Sequence, residues 1–389
     1  MKKVAVFGSY NGSSIGDNAI LYGILNCLLT MDEEVEIIIL TFNKCIELEN
    51  ESLFDFEEKR IKESIIHVIK SDNSSLFLQA MNIYNKFKLK FNLTSIIDKV
   101  KLNDELAKCD LLLIGGGNLL MDYYPSWPNM LKDVCSIANK LALPYYLLGV
   151  GAGPISRQES VLIFKELIEN SGACYVRDNK SKDILSNVGI DKNVSISVDL
   201  AFGIESLITN NLDKDRITIN LASVYARGWP EENLDKFEAY IDQVLNITNS
   251  LSVKYGIKKL EVFSSNYPLD NYACEYFIKR LPDDYKVIYT DAKLSVSDII
   301  RLNRFAVASL VTRLHAGIMA SKSCENLYAI VYQPKVETVL KQTGVNVQTF
   351  NILTECKEVI KFNCTNKNKV NNLDIAKDLV ASIINVNKS

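Results

Sequence analysis

The sequence predicts an α/β protein built as two doubly wound, Rossmann-like domains that face each other across a cleft. Three observations predict it. Short β-rich runs alternate with helical patterns along most of the chain, and the core of several, such as "DLLLIGGG" and "LPYYLLGVG", is an unbroken apolar stretch, as strands buried on both faces of a parallel sheet require. The alternation stops at one polar, aperiodic stretch, "ESLITNNLDKDR" from Glu205 to Arg216, and then starts again, which marks a domain boundary.

The first domain, residues 1–207, opens with the strand "KVAVFG", the helix "NAILYGILNCLL" and the strand "EVEIIILTF". Further strands follow in "DLLLIGGG", "LPYYLLGVG", "ACYVRD" and "VSISVDLAF". One stretch, about residues 74–106, does not fit a minimal α/β unit. It mixes Phe77, Leu78, Met81, Tyr84, Phe87 and Phe91 with Lys86, Lys88, Lys90, Lys99 and Lys101. It reads either as a basic amphipathic insertion in peripheral contact with a membrane or a lipid-linked substrate, or as an ordinary helical insertion with a solvated lysine face. The second domain, residues 213–365, runs through "ITINLASV", "KKLEVFSS", "YKVIYT", "FAVASLVT" and "LYAIVY". Residues 370–389 then carry Leu373, Ile375, Leu379, Ile383 and Ile384 at a helical period, the stripe of a helix that packs back onto the body.

Composition sets bounds on function. A chain of 389 residues with 48% apolar and 23% charged residues has enough apolar surface to build two cores. Its 44 basic and 47 acidic residues nearly cancel, so there is no general field for nucleic acid and any anion site must be local. Nine cysteines without a C-x-x-C pair read as reduced core residues of a cytoplasmic protein, and two histidines give no basis for a zinc site. The longest apolar run, "LALPYYLLGVGAGPI", is broken by proline and glycines and falls short of the roughly 20 residues of a spanning helix. A soluble protein is expected, which at most touches the inner face of the membrane.

In open α/β sheets ligands bind beyond the carboxyl ends of the strands, where glycines admit the backbone and helix N-termini favour anions. Four places have that context. In "VFGSYNGSSIGDNAI" the glycines 8, 12 and 16 give G-x3-G-x3-G, which fits neither the dinucleotide fingerprint nor the Walker loop. Gly16, Asp17 and Asn18 open the next helix, where Asp17 is either a plain N-cap or a carboxylate that acts as base toward a sugar hydroxyl. In "LLLIGGGNLLMD", Gly115, Gly116, Gly117 and Asn118 suit a tight turn or a close backbone approach to ligand. In "CYVRDNKSKDIL", Arg177 and Asp178 form a salt-bridged helix start or a ligand contact. In "FAVASLVTRLHAGIMASKS" a buried strand delivers Arg313, Leu314 and His315, and Lys335 leaves the next strand at "YQPKVET". Arginine, lysine and histidine at one edge suit an anion with both a carboxylate and a phosphate.

The ordered set G-x3-G-D-N, "LLLIGGGNL", "GVGAGPI", "YVRDNKSKDIL", "SVDLAF", "TRLHAGIMA" and "VYQPKV", from Gly12 to Lys335, resembles the polysaccharide pyruvyl transferase family. The resemblance implies the architecture of B-type glycosyltransferases. It also implies transfer of pyruvate from phosphoenolpyruvate to two hydroxyls of one sugar, as a cyclic ketal, in bacterial capsule or exopolysaccharide biosynthesis. On that basis Arg313, Leu314, Lys335, Arg177 and Arg227 bind phosphoenolpyruvate, His315 moves the proton and Asp17 is the acceptor-side base. The implied partners are phosphoenolpyruvate and a sugar or lipid-linked oligosaccharide; no metal or cofactor is implied. "SVDLAF" departs from the family in having leucine where proline is common, as do Glu325 and Asn326 where glycine and proline are usual. Two rival readings are a nucleotide-sugar glycosyltransferase with Glu337 on the ribose, which lacks its G-x-G-x-x-G, and a non-catalytic sugar-binding protein.

Overall fold

The structure, a computed structural model, describes residues 1–10, 14–31, 34–41, 60–65, 97–124, 126–208, 212–353 and 371–386. The chain forms two parallel-sheet α/β domains. The first sheet holds β1 (Lys2–Phe7), β2 (Val35–Thr41), β3 (Ile61–Ile65), β4 (Leu111–Gly115), β5 (Tyr145–Val150), β6 (Cys174–Val176) and β7 (Val194–Ile196), in the order β3-β2-β1-β4-β5-β6-β7. Its helices are α1 (Ile15–Leu29), α2 (Lys99–Leu106), α3 (Trp127–Lys140), α4 (Gln158–Glu169) and α5 (Asn179–Asn187), followed by a 3-10 turn at Leu200–Gly203. The second sheet holds β8 (Arg216–Leu221), β9 (Lys259–Ser264), β10 (Lys286–Tyr289), β11 (Ala306–Val311), β12 (Asn326–Val331) and β13 (Asn346–Asn351), in the order β10-β9-β8-β11-β12-β13. Its helices are α6 (Leu234–Tyr255), α7 (Asn271–Lys279), α8 (Val296–Arg304), α9 (Leu314–Ala320) and α10 (Pro334–Leu340), and α11 (Asn372–Val386) comes last.

In both sheets the order reverses between the first strand and its neighbour, at β1/β4 and at β8/β11, so each domain has a crevice beyond its strand ends. The central strands β1, β4, β5, β8, β11 and β12 are almost entirely buried, as their unbroken apolar runs require. Two strands were not legible as apolar runs. β3 ("IKESI") and β13 ("NVQTFN") are edge strands, where one side needs no partner and polar residues are tolerated. The run "VSISVDLAF" is strand only over Val194–Ile196, because the Asp199 carboxylate accepts from Ala201 N at 3.0 Å and turns the chain into the 3-10 segment.

Most of residues 74–106 lies outside the described residues. The described end is an ordinary helix, α2, capped by Asp98 accepting from Lys101 N at 3.0 Å, with Leu102 and Leu106 in the core and Lys99 paired to Asp133 at 2.6 Å. Helix α11 returns to the first domain. It buries Ala376, Leu379, Val380, Ile383 and Ile384, the Ile384 carbonyl accepts from Lys2 Nζ at 2.7 Å, and Lys377 pairs with Glu205 at 3.1 Å. One apolar cluster is continuous across the domain junction, joining Ile15, Ile20 and Leu200 to Leu314, Ile318, Leu340 and Ile383. Among the described residues no helix is long and apolar enough to cross a membrane.

Candidate functional site

The two crevices meet around helices α1 and α9. Their facing ends line a cavity of about 180 Å³ formed by Ser14, Ile15, Gly16 and Arg177 from the first domain and by Ser265, Asn266, Arg313, Leu314, His315, Tyr332 and Lys335 from the second. Helix α1 begins one turn earlier than the apolar pattern predicts. Ser14 is its N-cap in extended conformation, which corrects the N-cap reading of Asp17: the aspartate is the third residue inside the helix. That register aims its carboxylate at the glycine loop after β4, where a side-chain carbon at Gly117 would lie 2.7 Å from Asp17 Oδ1.

Arg313 is the last residue before α9 and hands His315 to the helix's first turn. Its Nε and Nη2 donate to the two oxygens of the fully buried Asp270 at 2.9 and 2.8 Å, the Trp229 ring lies against its guanidinium at 5.6 Å, and its N–H donates to Asn220 at 3.1 Å. The paired carboxylate fixes the guanidinium plane. From the first domain, Arg177 leaves β6 buried, with Nη1 donating to Asp199 Oδ2 at 3.0 Å and Nε 3.7 Å from Asp178 Oδ2. Asp178 also caps α5 through Ser181 N at 2.7 Å, so the salt-bridged helix start expected there is present, and Arg177 nevertheless lines the cavity.

His315 crosses from the second domain onto the first. A side-chain carbon at Gly16 would overlap its Nδ1 and lie 2.8 Å from its Cγ, so only glycine lets the imidazole seat there. On the other side, His315 Nε2 stands 3.5 Å from Asp199 Oδ2. Asp199 and Asp17 thus flank one histidine, in opposite electrostatic states. Burial pushes the Asp17 carboxyl up to about 6, with Asp199 adding to the rise and His315, Arg177 and the Ser14 hydroxyl opposing it. Burial alone would raise Asp199 as well, but His315, Arg177 and the Ala201 N–H outweigh it and hold that carboxyl well below the usual range. Two carboxylates driven apart in this way are suited to different roles, one to exchange a proton and one to stay charged.

Lys335, in the first turn of α10, completes the cation cluster. Among the described residues it has no carboxylate within ion-pair distance, and burial lowers its ammonium to about 8, with Arg177, Lys180 and Arg313 adding and Asp178 opposing. Arg177, Arg313 and Lys335 with His315 make a concave cationic surface that a small anion with two charged ends would neutralise.

Other predicted residues take different places. Arg227 is exposed on the loop after β8 and is not among the residues that line the cavity; Trp229, two residues on, lies against Arg313. Gly115 and Gly116 serve packing, since a side chain on either would meet Ile24 or Ile20 of α1, and Gly116 and Gly117 adopt left-handed backbone at φ +87° and +65°. Asn118 donates to the Gly153 carbonyl and so braces the loop beside Arg177. Asn18 lies in α1 with its Oδ1 buried and without a hydrogen-bond partner among the described residues. Sequence reasoning missed Asp199 and Asp270. The first had a signal, an acid at a strand end within "SVDLAF"; the second, in "NYPLDNY", had none. Among the described residues no three His, Cys, Asp or Glu side chains are grouped as metal ligands would be.

No curated protein matches the sequence. Among solved structures, the chain is similar to the UDP-GlcNAc 2-epimerase of Methanocaldococcus jannaschii at 12% identity and a TM-score of 0.56, covering 99% of this chain and 100% of that one. It is also similar to the UDP-GlcNAc 2-epimerase of Neisseria meningitidis bound to UDP-GlcNAc (14%, 0.52, 100% and 93%) and to Anabaena HepE in complex with UDP-glucose (12%, 0.52, 100% and 97%). At these identities the likeness is one of fold, two Rossmann-like domains across a cleft. The family described as polysaccharide pyruvyl transferase matches residues 15–323, which carry Asp17, Arg177, Asp199, Arg313 and His315. Because that match spans well over half of the sequence, the chain belongs to the polysaccharide pyruvyl transferase family, a family of transferase enzymes.

Proposed function

We propose that the protein transfers pyruvate from phosphoenolpyruvate to two hydroxyls of one sugar and so makes a cyclic ketal. The observation that carries this reading is the cation cluster of Arg177, Arg313 and Lys335 around His315, lining a cavity of about 180 Å³, with Asp17 behind it in electrostatic contact with His315. The three cations hold the carboxylate and phosphate of the donor. His315, protonated, gives its proton to the methylene carbon, which becomes a methyl group and leaves the adjacent carbon electrophilic. One sugar hydroxyl forms a C–O bond to that carbon while its proton passes to Asp17. The second hydroxyl then forms the other C–O bond as the C–O bond to phosphate breaks; its proton restores His315, and Asp17 returns its proton to the departing phosphate.

A nucleotide-sugar donor fits less well, since Glu337 already accepts from Lys341 Nζ at 2.6 Å and Thr349 Oγ1 at 3.2 Å. Replacing His315 by alanine is expected to cut turnover by roughly 10²–10⁴-fold with an unchanged circular dichroism spectrum. Near-normal release of phosphate by that variant would overturn the reading. Phosphoenolpyruvate is expected to raise the melting temperature and UDP-sugars to leave it unmoved; the reverse pattern would favour a glycosyltransferase. The acceptor is found by mass after incubation with phosphoenolpyruvate and soluble or lipid-linked galactosides, mannosides and aminosugars.

A further inference from the structure

We propose that Asp199 is the positioning residue for His315: its Oδ2 keeps a proton on Nε2 and so assigns Nδ1 to the substrate. The inference rests on the reading of His315 as proton donor. The two oxygens of Asp199 are allotted differently. Oδ1 accepts from Ala201 N at 3.0 Å and locks the carboxylate to the 3-10 turn, while Oδ2 accepts from Arg177 Nη1 at 3.0 Å and faces His315 Nε2 at 3.5 Å.

His315 Nε2 is buried and has no hydrogen-bond partner among the described residues, so the nearest acceptor for it is this same Oδ2. A lone pair on Nε2 would point a second acceptor at a buried carboxylate, whereas an N–H there turns its positive end toward that carboxylate. The opposite nitrogen, Nδ1, lies over Gly16, and both residues line the cavity. Gly16 therefore admits the ring with its Nδ1 edge against the backbone of α1, at the rim of the cavity.

The charged groups that surround the imidazole are Asp17 from α1, Arg177 and Asp199 from the first domain, Arg313 from its own strand end and Lys335 from α10. Of the two acids, Asp199 is held ionised and Asp17 is poised near neutrality, which matches a fixed partner for Nε2 and a mobile base on the acceptor side. In the donor step the Nδ1–H bond breaks and the methylene carbon gains that hydrogen through its π pair. Nε2 keeps its proton and Asp199 stays a carboxylate throughout, as in other histidine and aspartate pairs.

The sequence contains only two histidines, so His67→Gln leaves a single imidazole to observe. In that protein, ¹⁵N NMR at a pH where His315 is neutral is expected to show a protonated Nε2 and an unprotonated Nδ1. Asp199→Asn is expected to remove this preference and to lower kcat by roughly tenfold or more. Because Asp199 also holds Arg177, KM for phosphoenolpyruvate will rise in that variant, and the tautomer in the Asp199-intact protein is the deciding readout; it leaves Asp199, Arg177 and Gly16 unchanged. A neutral His315 protonated at Nδ1, or one whose tautomer ignores Asp199→Asn, overturns the proposal. Normal turnover by His315→Ala would instead remove the donor reading and leave the tautomer assignment standing.

Discussion

Lys335 and Asp17 carry the pH behaviour of the site. With Lys335 lowered by burial and neighbouring cations to about 8, its charge is present at neutral pH and lost on the alkaline side. Affinity for phosphoenolpyruvate should therefore stay level up to about pH 8 and fall above it; Lys335→Ala should be weak and flat across that range, and Lys335→Arg should keep its affinity to higher pH. Titration calorimetry from pH 6.5 to 9.5 checks this. Asp17 is raised from its ordinary value to about 6, so between about pH 4 and 6 the native state holds more protons than the unfolded chain and stability falls as pH rises. Asp17→Asn should consequently melt higher than the parent above pH 6, match it near pH 4, and lose roughly 10²–10⁴ in kcat. Thermal melts at both pH values and a turnover assay decide it. The residue types were legible in the sequence, since an acid opening a helix and the R-L-H and lysine positions stand at strand ends. Their states were not, because Asp17 is tuned by Asp199, Arg177 and His315, which lie far along the chain.

The packing of helix α1 explains Gly16 of the opening motif, and Gly23 within the helix, while Gly12 lies outside the described residues. A side chain at Gly8 would meet the Gly115 carbonyl, one at Gly16 would overlap His315, and one at Gly23 would overlap the Leu200 carbonyl. The glycines let α1 lie close to the loop after β4, to α9 and to the 3-10 turn. Helix propensity alone favours alanine over glycine by about 1 kcal/mol at Gly23. Contact with a backbone oxygen, which cannot rotate away, opposes this, and overpacking of this kind costs about 1–3 kcal/mol. Gly23→Ala should thus be destabilised in urea, and turnover should fall with it, because the turn it pushes begins one residue after Asp199. A variant more stable than its parent would show that the helix has room to shift. At this scale the central strands were legible from their apolar runs, while β3 and β13 were hidden by the polar residues that edge positions allow.

The site exists only where the two domains touch. His315 rests on Gly16 and faces Asp199, both from the other domain, and an apolar cluster runs unbroken beneath them. The sequence announced two domains through the restart of the strand alternation, but which faces meet depends on shape and on contacts between distant segments, which periodicity does not encode. Helix α11 makes this arrangement testable for the whole molecule. It inserts Ala376, Leu379, Val380, Ile383 and Ile384 against α1, which carries Asp17, and the 3-10 turn, which follows Asp199. Losing one buried leucine or isoleucine side chain costs about 2–5 kcal/mol, and a domain's whole stability is about 5–15 kcal/mol. Removing residues 371–389 should therefore abolish cooperative unfolding of the first domain. Lys377→Ala, which deletes only a partly exposed ion pair, should cost at most about 1 kcal/mol. The paired variant Ile383→Ala/Ile384→Ala should fall between them, with a lower melting temperature and a smaller shift on adding phosphoenolpyruvate, because a loosened α1 no longer holds Gly16 against His315. A calorimetric scan of the three variants with and without phosphoenolpyruvate separates these outcomes; an unchanged ligand shift in the paired variant would mean that α11 supports the fold without supporting the site.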